Sequence, residues 1–259
     1  MVSMIEKFGE YSLNFFQEVG EAIVLFFESL KTVTQFRFSR ARQRLYHQLL
    51  LIGNESVPMV CILGAFVGMV LTLQMGYQLQ KVGTERFIGA IVALTLTKEL
   101  APVFTAYLLA GKVGAAITAE IGTMKVNQEI DALRSLGIDP IRFLTLPRIL
   151  SGILVTPILV LFADIVGILA GSILAFIYLG VSMVEYKNSI IEMVIFSDVL
   201  EGMIKGAVFG GMICLIGCHQ GFKTTDGAEG VGKFTTRSVV ISFIAILVFD
   251  YFLSRFMLR

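Results

Sequence analysis

The chain has 259 residues, of which 56% are hydrophobic and only 16% charged, with a formal net charge of +1. A mean hydropathy of +0.81 puts it among membrane proteins; the net charge says nothing about nucleic acid, and no basic–aromatic stripe suggests it. Cys61, Cys214 and Cys218 all lie in apolar surroundings, so they imply no disulfide framework.

Residues 1–30 carry acids throughout and lack the compact apolar core of a signal peptide. Phe8, Tyr11, Phe15, Val19, Ile23, Phe26 and Leu30 recur three or four apart, interrupted by Glu6, Glu10, Glu18, Glu21 and Glu28. That pattern predicts an amphipathic helix lying in the membrane interface. A basic cluster follows: Lys31, Arg37, Arg40, Arg42 and Arg44.

Five transmembrane helices are then predicted. The first covers 49–80, with Pro58 kinking its start and Gly64 and Gly68 forming a GxxxG pair for close helix packing. The second, 87–119, is interrupted by Lys98 and Glu99. The third, 149–183, contains Pro157 and Asp164. The fourth, 190–221, opens on Glu192, Asp198 and Glu201, and the fifth, 238–257, contains Asp250. No tandem repeat and no separate soluble domain is evident, so 1–259 is expected to form a single all-α membrane domain.

Between the second and third spans lies a polar island, Glu120 to Pro140. Val126, Ile130 and Leu133 recur at helical spacing, with Asn127, Gln128, Glu129, Asp131 and Arg134 between them. A short helix over 123–137 is expected, with Asn127 as N-cap and Gly137 and Pro140 as its stop. It is too short and too polar to cross a bilayer. Its outer face reads as a docking element, or as a plain surface link between two spans.

Orientation follows from lysines and arginines near the span ends. One side collects Lys31, Arg37, Arg40, Arg42, Arg44, Lys125, Arg134, Arg142, Arg148, Lys223, Lys233 and Arg237; the other has Lys81, Arg86, Lys187, Arg255 and Arg259. The richer side is expected to be cytoplasmic, which puts the island and the N-terminus inside and the C-terminus outside.

The chemical motifs are few. GAEGVGKF (Gly227 to Phe234) has Phe234 where a phosphate-binding loop needs Ser or Thr, and no strand precedes it; its glycines are expected to shape a turn. His47 and His219 belong to no catalytic pattern, and Cys214, Cys218 and His219 lack a fourth metal ligand. Lys98, Glu99, Lys205 and Asp250 are expected near the bilayer centre, where an isolated charge costs at least about 2.5–3.5 kcal/mol. Their charges cancel, as either a packing cluster or a proton relay requires.

AEIGTMKVNQEIDALRSLGIDPIRFLTLPR (Ala119 to Arg148) closely resembles the MlaE/YrbE permease family. The likeness continues in GAFVGMVLTLQ (Gly64 to Gln74), LTKELAPV (Leu96 to Val103) and GAEGVGKFTTRSVV (Gly227 to Val240). It runs from the first span to Asp250, while the N-terminal helix matches only loosely. Lys98 stands where some members carry Arg, which keeps the charge and loses bidentate pairing.

The resemblance implies a homodimeric transmembrane subunit of an ABC-type phospholipid transporter in a bacterial inner membrane. Cytoplasmic ATPase subunits would dock on the island as a coupling helix, through Val126, Asn127, Glu129, Ile130, Asp131, Leu133 and Arg134. ATP and Mg would belong to that partner, leaving this chain without catalysis or a cofactor of its own. An MCE-domain protein would sit on the periplasmic face. Leu71, Met75 and Leu79 continue the face begun by Gly64 and Gly68, and are candidates to line a lipid pathway. Two other classes fit the residues: an ion-coupled secondary transporter using the intramembrane charges, and a scaffold with no transport role.

Overall fold

The computed structural model describes residues 39–257, together with Gln17, Gly20, Glu21, residues 23–25 and residues 27–29. Every regular element among them is helical, and five stretches are long and apolar enough to cross a membrane. The chain is an all-α membrane protein. The described residues between 17 and 29 are helical; most of the interfacial helix expected over 1–30 lies outside the described residues.

The first expected span divides into two helices, α1 (Ser39–Asn54) and α2 (Val57–Val82). Pro58 falls in the first turn of α2, where a missing N–H leaves no bond unmade, so it starts a helix instead of kinking one. Gly83, at φ 70°, closes α2. The second span, α3, runs Glu85–Val126 and contains two π-helical turns, Leu96–Leu100 and Ala110–Gly114. After α4 (Glu129–Ser135) comes α5, Ile141–Leu179.

The remaining boundaries also differ from expectation. Met183, expected to end the third span, and residues 190–193, expected to open the fourth, belong with the link between them to a separate short helix, α6 (Met183–Met193). Gly180 at φ 69° ends α5, and Ser182 caps α6 in a reciprocal pair with Glu185. The fourth span, α7, is therefore Phe196–Phe222. The fifth, α8, is Gly227–Met257 and begins well before residue 238. GAEGVGKF is thus the first two turns of a helix, and of its glycines only Gly227, at φ 66°, shapes the turn that leads into it.

Two helical hairpins, α2–α3 and α5–α7, lie side by side, with α2 in a constant register on α5. Gln80 Nε2 donates to the Leu179 carbonyl at 3.1 Å, the Ala90 N–H to Ser189 Oγ at 3.2 Å, and Thr118 Oγ1 to the Gly217 carbonyl at 3.1 Å, each pair 99 residues apart. The same offset relates Gly64 to Ala163 and Gly68 to Gly167, whose backbones touch. α2 is therefore parallel to α5, and α3 to α7. In lipid, where apolar burial gives helices little reason to associate, backbone contact through small residues supplies the attraction.

α3 and α5 are far longer than a roughly 30 Å hydrocarbon core needs: 42 and 39 residues, or about 63 and 58 Å. Lys112 of α3 meets Glu55, and Val155 of α5 lies beside Gly53, both just before α2 begins. The remainder of α3, packed on α7 and α8, and the beginning of α5, packed on α1, run on past that level; there Ser151 Oγ of α5 donates to the Leu45 carbonyl. Together they form a stalk that carries α4.

Candidate functional site

α4 is a two-turn helix, shorter than the expected 123–137, because α3 continues unbroken to Val126. Asn127 does not cap it. The chain reverses instead at Gln128, held at φ 61°, and that residue occupies the cap position without a side-chain bond. Ile130 is 1% exposed and Leu133 packs on the core, so these two fasten α4 to its own chain. Glu129, Asp131 and Arg134 face outward, with Arg134 Nη1 3.5 Å from Asp131 Oδ1. Val126, at the end of α3, is exposed. Gly137, at φ 72°, stops the helix as expected, and the Ile138 N–H returns to the Leu133 carbonyl.

The legs of the stalk are pinned below α4. Arg148 on α5 is 3% exposed and reaches Glu120 on α3 at 2.7 Å, while its Nη1 donates to the Leu144 carbonyl. Gly122 packs against Thr224, just past the end of α7. At the same end of the bundle Glu21 pairs with Lys223 and lies 3.4 Å from His219 Nε2. The Lys223 ammonium holds the Glu21 carboxyl below its ordinary 4.5.

The four intramembrane charges do not form one neutral cluster. Lys98 turns away from the other three and binds Asp198 at 2.8 Å and Glu201 at 3.2 Å. Lys205, 2% exposed, binds Glu99 at 2.8 Å and Asp250 at 3.0 Å, and donates to Ser254 Oγ, which donates in turn to Glu99. Each lysine thus faces two carboxylates, and the Lys98 carbonyl, accepting from Lys205 Nζ at 2.9 Å, joins the two groups. The split follows from the consecutive Lys98 and Glu99 leaving the helix on different faces, as neighbouring residues of any helix do.

These groups also lie off the centres of their helices. Asp250 is seven residues, about 10 Å, from the end of α8, and Lys205 is nine residues, about 14 Å, from the start of α7. The groups share one level, as their direct contacts require, and α8 begins at Gly227, so Asp250 is off the centre of its helix. Both triads lie toward the end of the bundle opposite α4.

A family model described as Permease MlaE matches residues 45–256. The chain belongs to the MlaE permease family. It is 34% identical to a probable ABC transporter permease protein of Rickettsia typhi, over 100% of this chain and 99% of that protein. It is 37% identical to a probable ABC transporter permease protein of Synechocystis, over 99% of this chain and 97% of the other. It is also 33% identical to the intermembrane phospholipid transport system permease protein MlaE of Haemophilus influenzae, over 99% and 98%.

In this MlaE-family chain the Gly64–Gly68 face of α2 is turned to α5. An added Cβ at Gly64 would lie 2.6 Å from the Ala163 carbonyl oxygen, and one at Gly68 2.1 Å from that of Gly167. Leu71, on the same face, is buried in the core, so packing within the chain accounts for it; Met75 and Leu79 are half-buried. Glu120 and Arg148, at opposite ends of the most family-like stretch, are not legible as a pair in the sequence because 28 residues separate them. Asp198 and Glu201 are visible there as charges at a span start, but their partner Lys98 is one hundred residues away.

Proposed function

We propose that this chain is the transmembrane permease subunit of an ABC-type phospholipid transporter, and that it works as a homodimer in a bacterial inner membrane. The observation that carries this reading is the family match across residues 45–256. α4, fastened by Ile130 and Leu133 with Glu129, Asp131 and Arg134 outward, supports a docking role for cytoplasmic ATPase subunits. A helix on a pinned stalk passes a push from its partner into α3 and α5 without absorbing it. The largely exposed apolar face of α8, including Ile244, Leu247 and Tyr251, supports burial against lipid or a second copy. The arginine- and lysine-rich end carrying α4 is then cytoplasmic, and an MCE-domain partner sits on the opposite face.

In this mechanism ATP binding draws the two ATPases together, the α4 helices follow, and the paired hairpins shift to open and close a greasy path. Met75 and Leu79 remain the candidates to line it. Co-purification from the native membrane with an ATPase and an MCE-domain protein is the expected result. In proteoliposomes, lipid transfer should require the ATPase and ATP. Transfer that proceeds without any ATPase would favour the ion-coupled alternative, and ATPase binding without any transfer would favour the scaffold. Arg134→Glu should lower ATPase affinity with the bundle intact; it is a cleaner test than Leu133→Asp, which also loosens α4 from its own chain. Unchanged ATPase affinity and lipid-coupled hydrolysis in Arg134→Glu would remove α4 from the docking role.

A further inference from the structure

α5 carries one carboxyl group that neither lysine triad uses. Asp164 is 5% exposed, and neither of its oxygens has a hydrogen-bond partner. It sits in the tightest seam of the bundle: Ala163 before it presses on Gly64, and Gly167 one turn later presses on Gly68 and Leu96. The constant offset of 99 sets it level with Ala65 of α2, which is eight residues, about 12 Å, from Val57 and about 26 Å from Val82.

The polar side chain that faces it is Thr97, itself buried and carried on the π turn of α3. The charged groups on the helices around it are committed elsewhere. Lys98 serves Asp198 and Glu201, Lys205 serves Glu99 and Asp250, and α2 has no ionisable side chain between Cys61 and Tyr77. An unpartnered carboxylate in such a place costs far more than the neutral acid. The Thr97 hydroxyl can donate to a carboxylate as well as accept from the neutral acid's O–H, so burial and the lack of a cation, not Thr97, favour the neutral form.

We propose that Asp164 is a proton-binding site, holding its proton while α5 is packed on the π turn of α3 and releasing it to water when the two part. In the release step the carboxyl O–H bond breaks, the electron pair stays on the carboxylate and water takes the proton. Collapse of the π turn to α geometry provides the parting motion, since losing one residue from the turn rotates the rest of the helix by about 100°. The holding half stands on the packing alone; the release half rests on the transport reading above.

The test has two arms. In the first, the purified chain in lipid nanodiscs is examined by infrared spectroscopy at neutral pH, with and without isotope-labelled aspartate carboxyls. A protonated-acid carbonyl band that shifts with the label and disappears in Asp164→Asn or Asp164→Ser is expected. No label-sensitive band in the wild type, or a band that survives in a folded variant, overturns the proposal; the wild-type measurement holds even if both variants fail to fold. In the second arm, with the ATPase present, wild-type lipid transfer should rise with pH by up to about tenfold per pH unit, because opening releases one proton. Asp164→Asn should be flat. Equal pH profiles overturn the release half, whereas no ATP-driven transfer by wild type at any pH sinks the transport reading and leaves the first arm standing.

Discussion

Gly68→Ala should weaken the bundle more than any other single methyl placed on the α2–α5 seam. The new Cβ would lie 2.1, 2.6 and 2.8 Å from the carbonyl oxygen, carbonyl carbon and Cα of Gly167. All three are backbone atoms, so no rotamer change relieves the clash. Ordinary contact begins near 3.4 Å, so the two helices must part locally by 1.3 Å (3.4 minus 2.1). A gap of 0.5–1 Å already forfeits about a quarter to a half of each dispersion contact along the seam. Overpacking of this kind costs about 1–3 kcal/mol, and the rigidity of both partners argues for the upper part of that range. The fitting control is Gly232→Ala on α8, exposed with nothing within 4 Å, where replacing a helical glycine should gain about 0.8–1 kcal/mol. Thermal unfolding of both variants in the same detergent, followed by loss of helical circular dichroism, measures the difference. About 3–4 kcal/mol should separate them, a factor of about 100 or more in the folded fraction. Equal melting curves would refute the argument that backbone contact at Gly68 holds the two hairpins together.

Double-mutant cycles on stability should give a coupling of about 0.5–3 kcal/mol between Lys98 and Asp198, and one within about 0.5 kcal/mol of zero between Lys98 and Asp250; the reverse order would restore the single-cluster picture. Lys205→Met should cost about 3–5 kcal/mol by leaving Glu99 and Asp250 unpaired, and Lys205→Met with Asp250→Leu should recover part of that loss. With Cys61, Cys214 and Cys218 replaced, a cysteine at Gln128 should resist a membrane-impermeant thiol reagent in intact spheroplasts while one at Ser182 reacts. Labelling at Gln128 would invert the orientation and remove a cytoplasmic ATPase from α4. Because Lys223 depresses the Glu21 carboxyl, that contact contributes fully above 4.5 and fades as pH falls through the lowered value. Protease cleavage ahead of α1 should therefore increase on acidification, and Glu21→Gln should show the increased cleavage at neutral pH; identical cleavage of wild type and variant would discard the tie.

The number of spans, their order and the place of α4 are legible in the sequence. Those depend on sums of transfer free energy over about twenty residues, and a polar island such as 127–136 interrupts such a sum wherever it occurs. Turn chemistry is legible too: Gly137 stops α4 because only a left-handed residue ends it that way. Which face meets which neighbour is set by the packing of the helices and has no counterpart in composition. In a soluble helix the apolar stripe marks the core, but a membrane helix meets apolar surroundings on the lipid side and the protein side alike. Leu71, buried, and Val70, exposed, therefore carry the same signal in sequence. The pairing of Lys98 with Asp198, and of its neighbour Glu99 with Lys205, depends on which helix packs against each face of α3, and that leaves no mark in hydropathy. The register of 99 residues between α2 and α5 depends on backbones meeting at Gly64 and Gly68, and small residues record that such contact is possible without naming the helix that makes it.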